Sequence, residues 1–157
     1  MVLLALLLAA AAPAADKALT IDGLPAQASF TVAELKALGT ENVEWEVHGQ
    51  KRTGVGVSLD KVLSKAGFSA GPMGKDVGKK EKRSGWKLAV VASASDGFQA
   101  TFSAAELFPE MGPTHAVVCW TIDGKPQEPL RLVVPTDKEP SRSIYKFVRL
   151  KVVDLGG

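Results

Sequence analysis

Few side chains in this sequence can do chemistry, and their spacing limits what they can do. There is one cysteine, Cys119, and there are two histidines, His48 and His115. A single cysteine excludes an intramolecular disulfide, a CxxC redox pair and a cysteine-rich zinc site. Cys119 sits in the apolar run Val117-Val118-Cys119-Trp120, where a thiol serves as a small buried residue. A reactive thiolate needs a positive, partly exposed setting. His115 lies four residues away, about 13 Å along a strand, too far for both to hold one ion. Glu44, Glu46 and His48 alternate with Val43, Trp45 and Val47. They share one strand face, where neighbours could meet a hard cation; the competing reading is an ordinary solvated face. Arg131 and Arg142 are suited to forked contact with a phosphate or another oxyanion, against the alternative of surface ion pairs. No Ser/His/Asp order, phosphate-cradling glycine loop or zinc-ligand spacing occurs, and no metal site is expected.

These residues need elements to position them. Residues 2–12 form an uncharged apolar run, VLLALLLAAAA, followed by Ala12-Pro13-Ala14. The run is shorter than the roughly 20 residues of a membrane span and has the form of a signal-peptide core with a small-x-small cleavage site. The expectation is a signal peptide over 1–15, export to the periplasm or beyond, and no membrane span after cleavage. Residues 16–157 then make one domain, large enough to bury roughly 68–70% of its unfolded surface. The charge is nearly balanced, with 19 Lys+Arg against 17 Asp+Glu, which argues against a nucleic-acid binder.

Alternation and turn signals predict strands at 18–22, 43–48, 51–57, 86–92, 98–102, 116–122, 130–134 and 144–155, with turns at Asp22-Gly23, Gly49-Gln50, Asp96-Gly97 and Asp123-Gly124. Capping boxes at Thr31–Glu34 and Ser103–Glu106 open short helices. A third helix runs from Ser58 to Ala66 and is closed by Gly67. Residues 69–85 read as an exposed, glycine-rich basic loop, a solvated segment before it is a docking site. Its lysines lack the interleaved aromatics of a single-strand binder. The class is α+β, a mostly antiparallel or mixed sheet with about three short helices, and unequal spacing of the Asp-Gly turns rules out a repeat architecture.

Four motifs follow one another in order: Gly56-Val57-Ser58-Leu59, Ser95-Asp96-Gly97-Phe98, Asp123-Gly124-Lys125-Pro126 and Glu128-Pro129-Leu130-Arg131-Leu132. Together they resemble the oxidoreductase molybdopterin-binding domain, the core of the sulfite oxidase family. The resemblance implies that family's fold and a molybdopterin cofactor. It also puts Arg131, Arg142 and Lys146 near the cofactor-facing end, as anion- or pterin-binding candidates. The family's catalytic members ligate molybdenum through a cysteine in the strand before the first of these motifs. Here that strand, Glu41 to His48, holds none, and by spacing Glu44 or a neighbour stands in its place. A carboxylate is a hard ligand and cannot reproduce a soft thiolate bond. The resulting expectation is an exported module that binds a pterin, a small anion or a protein partner, redox or other, without sulfite oxidation. The rival readings are a molybdenum oxidoreductase with an oxygen ligand such as Glu44, and an interaction module that reuses the fold.

Overall fold

In the computed structural model, which describes residues 16–68 and 87–156, nine strands join into one sheet. The expected signal peptide over 1–15 and the expected basic loop over 69–85 lie outside the described residues. The strands are β1 (Leu19–Asp22), β2 (Ala28–Phe30), β3 (Glu41–Val47), β4 (Gln50–Ser58), β5 (Leu88–Ala94), β6 (Gln99–Ser103), β7 (Val117–Ile122), β8 (Lys125–Val133) and β9 (Ile144–Asp154). Among the described residues the helices are α1 (Val32–Ala37) and α2 (Leu59–Lys65), with 3-10 turns at Ala105–Leu107 and Pro140–Arg142. The expected α+β class with an antiparallel-dominated sheet is the one adopted; among the described residues only β1 and β9 pair in parallel.

The order β2-β1-β9-β8-β7-β4-β3 is joined at β9 by the β5–β6 hairpin. Strand β9 organises the sheet. Arg149 pairs with both Thr20 of β1 and Ser93 of β5, and Phe147 pairs with both Leu130 of β8 and Ala94 of β5. A strand has two edges, so β5 takes one and β8 and β1 share the other in succession. The register shifts beside Ala94, next to Lys146, whose φ is +52°. That shift and a second one between Leu130 and Leu132 of β8 turn the strand, so Ile144, Phe147, Leu150 and Val152 all reach the core although two of their three intervals are odd.

The main core lies on one face. Leu35 of α1 and Leu59, Val62 and Leu63 of α2 pack against Ile21, Val90, Phe102, Val118, Leu130, Leu132, Phe147 and Leu150. Helix α1 starts as its capping box dictates: the Glu34 N–H donates to Thr31 Oγ1, and the Thr31 N–H donates to Glu34 Oε2. A second apolar cluster occupies the opposite face of the β3–β4–β7–β8 half, built from Val43, Trp45, Val117, Cys119, Ile122 and Val133. Strand β7 therefore has apolar residues on both faces, which explains its continuous run. Gly54 allows this second packing. A Cβ there would lie 3.0 Å from Cys119 Sγ, 3.1 Å from Val43 Cγ1 and 3.2 Å from Trp45 Cζ3.

Three local expectations change. The three-residue β2 stands between the first turn and α1, where the sequence carries no alternation long enough to signal it. The β3–β4 turn is His48-Gly49, with φ of +49° and +77° and Val47 paired to Gln50; this is the primed geometry that matches strand twist. His48 accordingly leaves the strand face it was expected to share with Glu44 and Glu46. At Ser103–Glu106 only half of a capping box forms, the Ser103 N–H donating to Glu106 Oε1. Glu106 turns its other oxygen to the Thr114 hydroxyl and also meets Arg142, and only a 3-10 turn follows.

Candidate functional site

The three cations singled out by sequence end in three different surroundings. Arg142 is a structural pin. Its Nε and Nη2 donate to the two carboxylate oxygens of Asp137 at 2.8 and 2.6 Å, Nη1 donates to Glu106 at 3.0 Å, and the guanidinium lies 4.8 Å from the centre of the Phe102 ring. The hydrogen bonds it donates to Asp137, then the one to Glu106, hold its pKa above the ordinary arginine value. All three of its nitrogens donate to the protein's own carboxylates, through three of the five N–H groups, and the pin fastens the segment after β8 to the Ala105–Leu107 turn. Lys146 is exposed, occupies the β9 bulge and pairs with Asp96 at 3.6 Å.

Arg131 differs from both. It lies in β8 on the side of the second apolar cluster and is only 4% exposed. Its guanidinium stacks on the Tyr145 ring at 3.6 Å and lies 5.9 Å from the centre of the Trp45 ring. Its Nε–H is buried without an acceptor, and no carboxylate among the described residues stands within ion-pairing distance. Aromatic faces offset part of the cost of burying such a cation. They do not supply the acceptor that a guanidinium ordinarily finds when it leaves water.

The register explains what stands around it. One row crosses four strands, Glu41 of β3 to Gly56 of β4, Gly56 to Cys119 of β7, and Cys119 to Arg131 of β8. Glu41 shares its face with Val43 and Trp45, since side chains two apart on a strand point the same way. Glu41 Oε1 and Trp45 Nε1 are also buried without hydrogen-bond partners. Beside Glu41 stands His115, with Nε2 3.3 Å from Oε1, close but not aligned as a hydrogen bond. All three orphaned side-chain atoms found among the described residues thus belong to one face: a donor on Arg131, a donor on Trp45 and an acceptor on Glu41.

Cys119 sits between the two charged ends. Burial pushes its thiol up to about 12, against a smaller lowering by Arg131, while Glu41 raises it further. It is a protonated, apolar filler at neutral pH. Glu44 takes the other side of β3, exposed and paired in register with Thr53, so it looks away from Arg131, Cys119 and Glu41. Sequence reasoning had selected Arg131 and missed Glu41 and Trp45. The alternation that put Trp45 inside also put Glu41 on the same inner face, a signal the neighbouring exposed glutamates obscured.

These residues do not fit a thiolate-held molybdenum centre. The strand that would carry the ligand cysteine has none, Cys119 is held as a thiol, and metal binding requires the thiolate. Arg131, Arg142 and Lys146 are engaged with different groups: the Tyr145 ring, the Asp137 and Glu106 carboxylates, and Asp96 respectively. Among the described residues no three His, Cys, Asp or Glu side chains are grouped as metal ligands.

No protein-family model and no curated protein matches the chain. A solved structure does: the sulfane dehydrogenase SoxCD from Paracoccus pantotrophus, with a TM-score of 0.59 and 19% identity. The likeness covers 87% of this chain and 38% of that one. The two share a fold. At this identity the likeness is one of architecture, and the chain spans well under half the length of the protein it resembles.

Proposed function

We propose that this chain is an exported anion-binding module, built on the fold of a molybdopterin oxidoreductase but not itself a sulfite-oxidising enzyme. The observation that carries the reading is Arg131: a buried guanidinium, held flat by Tyr145, with its Nε–H unsatisfied and no carboxylate partner among the described residues. A buried cation of this kind is stabilised by an anion that brings its own acceptors. The ordered motifs and the fold shared with a sulfane dehydrogenase support descent from a redox scaffold. The protonated Cys119 and the outward-facing Glu44 support loss of its metal chemistry, since a fold can outlast the function of its relatives. A pterin-type cofactor enters this reading only through an anionic group placed at Arg131.

Two measurements test it. Elemental analysis and oxidised-pterin fluorescence, on protein purified from a molybdenum-replete host that makes the cofactor, should find neither molybdenum nor pterin near one equivalent per chain. Calorimetric titration with inorganic oxyanions should detect binding that falls at least tenfold in Arg131→Met, with the variant's folding checked by circular dichroism. Stoichiometric molybdenum with turnover of an oxyanion or sulfoxide would overturn the non-catalytic reading. Binding unchanged in Arg131→Met would remove Arg131 as the receptor.

A further inference from the structure

Among the described residues, β2, β3 and β6 each pair with another strand on one side alone. A free edge is a template for another chain unless something guards it. Strand β2 is guarded by its length of three residues. Strand β3 carries the exposed Glu44 and Glu46, so two copies paired there would set glutamates against glutamates. Strand β6 has neither device. Its sequence, Gln99-Ala100-Thr101-Phe102-Ser103, holds no charge and no proline, and it pairs with β5 without a register shift. We infer that β6 is a dimerisation edge. It pairs antiparallel with β6 of a second copy of this chain, across a two-fold axis beside Ala100.

The backbone sets the register. The Ala104 N–H donates to the Leu88 carbonyl, and the Ala94 N–H donates to the Phe98 carbonyl. Hydrogen-bonding residues alternate along an antiparallel strand, so Phe98, Ala100, Phe102 and Ala104 turn to β5. Gln99, Thr101 and Ser103 turn outward. The Ser103 N–H is already taken by Glu106 Oε1 at 2.9 Å, which leaves Gln99 and Thr101 with both backbone groups free to pair. Setting Gln99 opposite Thr101 of the second copy lets each satisfy the other, and the two-fold axis repeats the exchange. Centring the pair on Thr101 instead would aim the Gln99 carbonyl at the Ser103 N–H that Glu106 holds.

The side chains agree with this register. Ala100 meets its own copy as a non-hydrogen-bonded pair, with Cα atoms about 4.5 Å apart; a small side chain suits that approach. Gln99 and Thr101 meet on the exposed face as neutral hydrogen-bonding groups. Phe98, at the start of β6, is 51% exposed. Side chains two apart share a face, so Phe98 lies on the side of Ala100 and Phe102. In the dimer it stands diagonally across from Ala100 of the second copy, within reach of an aromatic ring. The pairing thus covers a large apolar side chain that one copy leaves at the surface. A contact one strand long belongs to the weak, concentration-dependent class.

Sedimentation equilibrium of the purified protein from about 1 µM to about 500 µM, the span of weak complexes, should show monomer passing to dimer. Gln99→Glu combined with Thr101→Glu sets like charges directly opposite each other twice, at exposed positions, and should weaken association about tenfold or more. Gln99→Lys combined with Thr101→Glu sets opposite charges there and should restore it to within about threefold of wild type. Circular dichroism checks that both variants fold. Hydrogen exchange reads the unaltered chain: the Gln99 and Thr101 amides should slow as concentration rises, and the Ser103 amide, already bonded to Glu106, should change least. A wild-type chain monomeric throughout overturns the inference. So does a dimer indifferent to the paired glutamates, or one whose Gln99 and Thr101 amides exchange at a concentration-independent rate. Loss of the dimer without restoration by the opposite-charge variant overturns the register.

Discussion

Replacing Arg142 with methionine separates a structural pin from a ligand-binding cation. The substitution keeps most of the side chain's apolar length over Phe102 and removes three charge-assisted hydrogen bonds, two to Asp137 and one to Glu106. The partners are not at the open surface, with side-chain exposures of 29% for Arg142, 15% for Asp137 and 27% for Glu106. Treated as three exposed contacts, the loss is about 2 kcal/mol; treated as a buried pair broken on one side, it is about 3–5 kcal/mol. Partial solvent screening puts the expectation near the lower end, about 2–3 kcal/mol. With a urea slope of about 1.5 kcal/mol/M for a chain of this size, the unfolding midpoint should fall by about 1.3–2 M. A double-mutant cycle with Asp137→Asn should show coupling of about 1–2 kcal/mol, because the two changes remove the same contacts. A destabilisation below about 0.5 kcal/mol, accompanied by lost anion binding, would refute the assignment. Arg142 would then belong to the ligand site that its position in the motif order suggests.

Two further outcomes follow from the same geometry. Native protein should react with an aromatic disulfide reagent at Cys119 far more slowly than urea-unfolded protein, because burial holds the thiol near 12; equal rates would show that the second apolar cluster is open. Stability should fall in acid. Asp22, Glu34 and Asp123 all have lowered pKa values, chiefly through the Gln27 amide, the Thr31 backbone N–H and the Thr53 backbone N–H respectively. Carboxylates held below their unfolded values of about 4 give stability that is present above that pH and is lost as pH falls through the folded values. Urea midpoints taken from pH 7 to pH 2 should therefore be level at first and then decline, with a shallower decline in Asp123→Asn; an unaltered slope in that variant would dismiss Asp123 as a contributor.

Much of the scaffold was legible because local rules and tertiary packing agree in it. Thr31 and Glu34 form their capping box, Asp123-Gly124 turns with both φ angles positive, and the apolar run of β7 is buried on both faces. The site was legible only in part. Arg131, Arg142 and Lys146 are equivalent as residue types, and nothing local distinguishes a cation stacked under Tyr145 from one pinned by Asp137 or one exposed at a bulge. Glu41, Glu44 and Glu46 likewise differ in the sequence only by position. Alternation puts Glu41 and Glu44 on opposite faces, but only the register through β4 and β7 brings Glu41 into one row with Cys119.

The sequence by itself determined the class, the order of most strands and helices, the core positions and the lack of a ligand cysteine before the first motif. Periodicity, turn chemistry and residue type are local quantities, each readable within a few residues. Tertiary structure alone decided the β9 junction, the short β2, the bulge that places Lys146, and the row Glu41–Gly56–Cys119–Arg131. Those depend on which strand edges meet and in what register. Partners separated by 15 residues in one step and 63 in another are joined by backbone hydrogen bonds that no local pattern encodes.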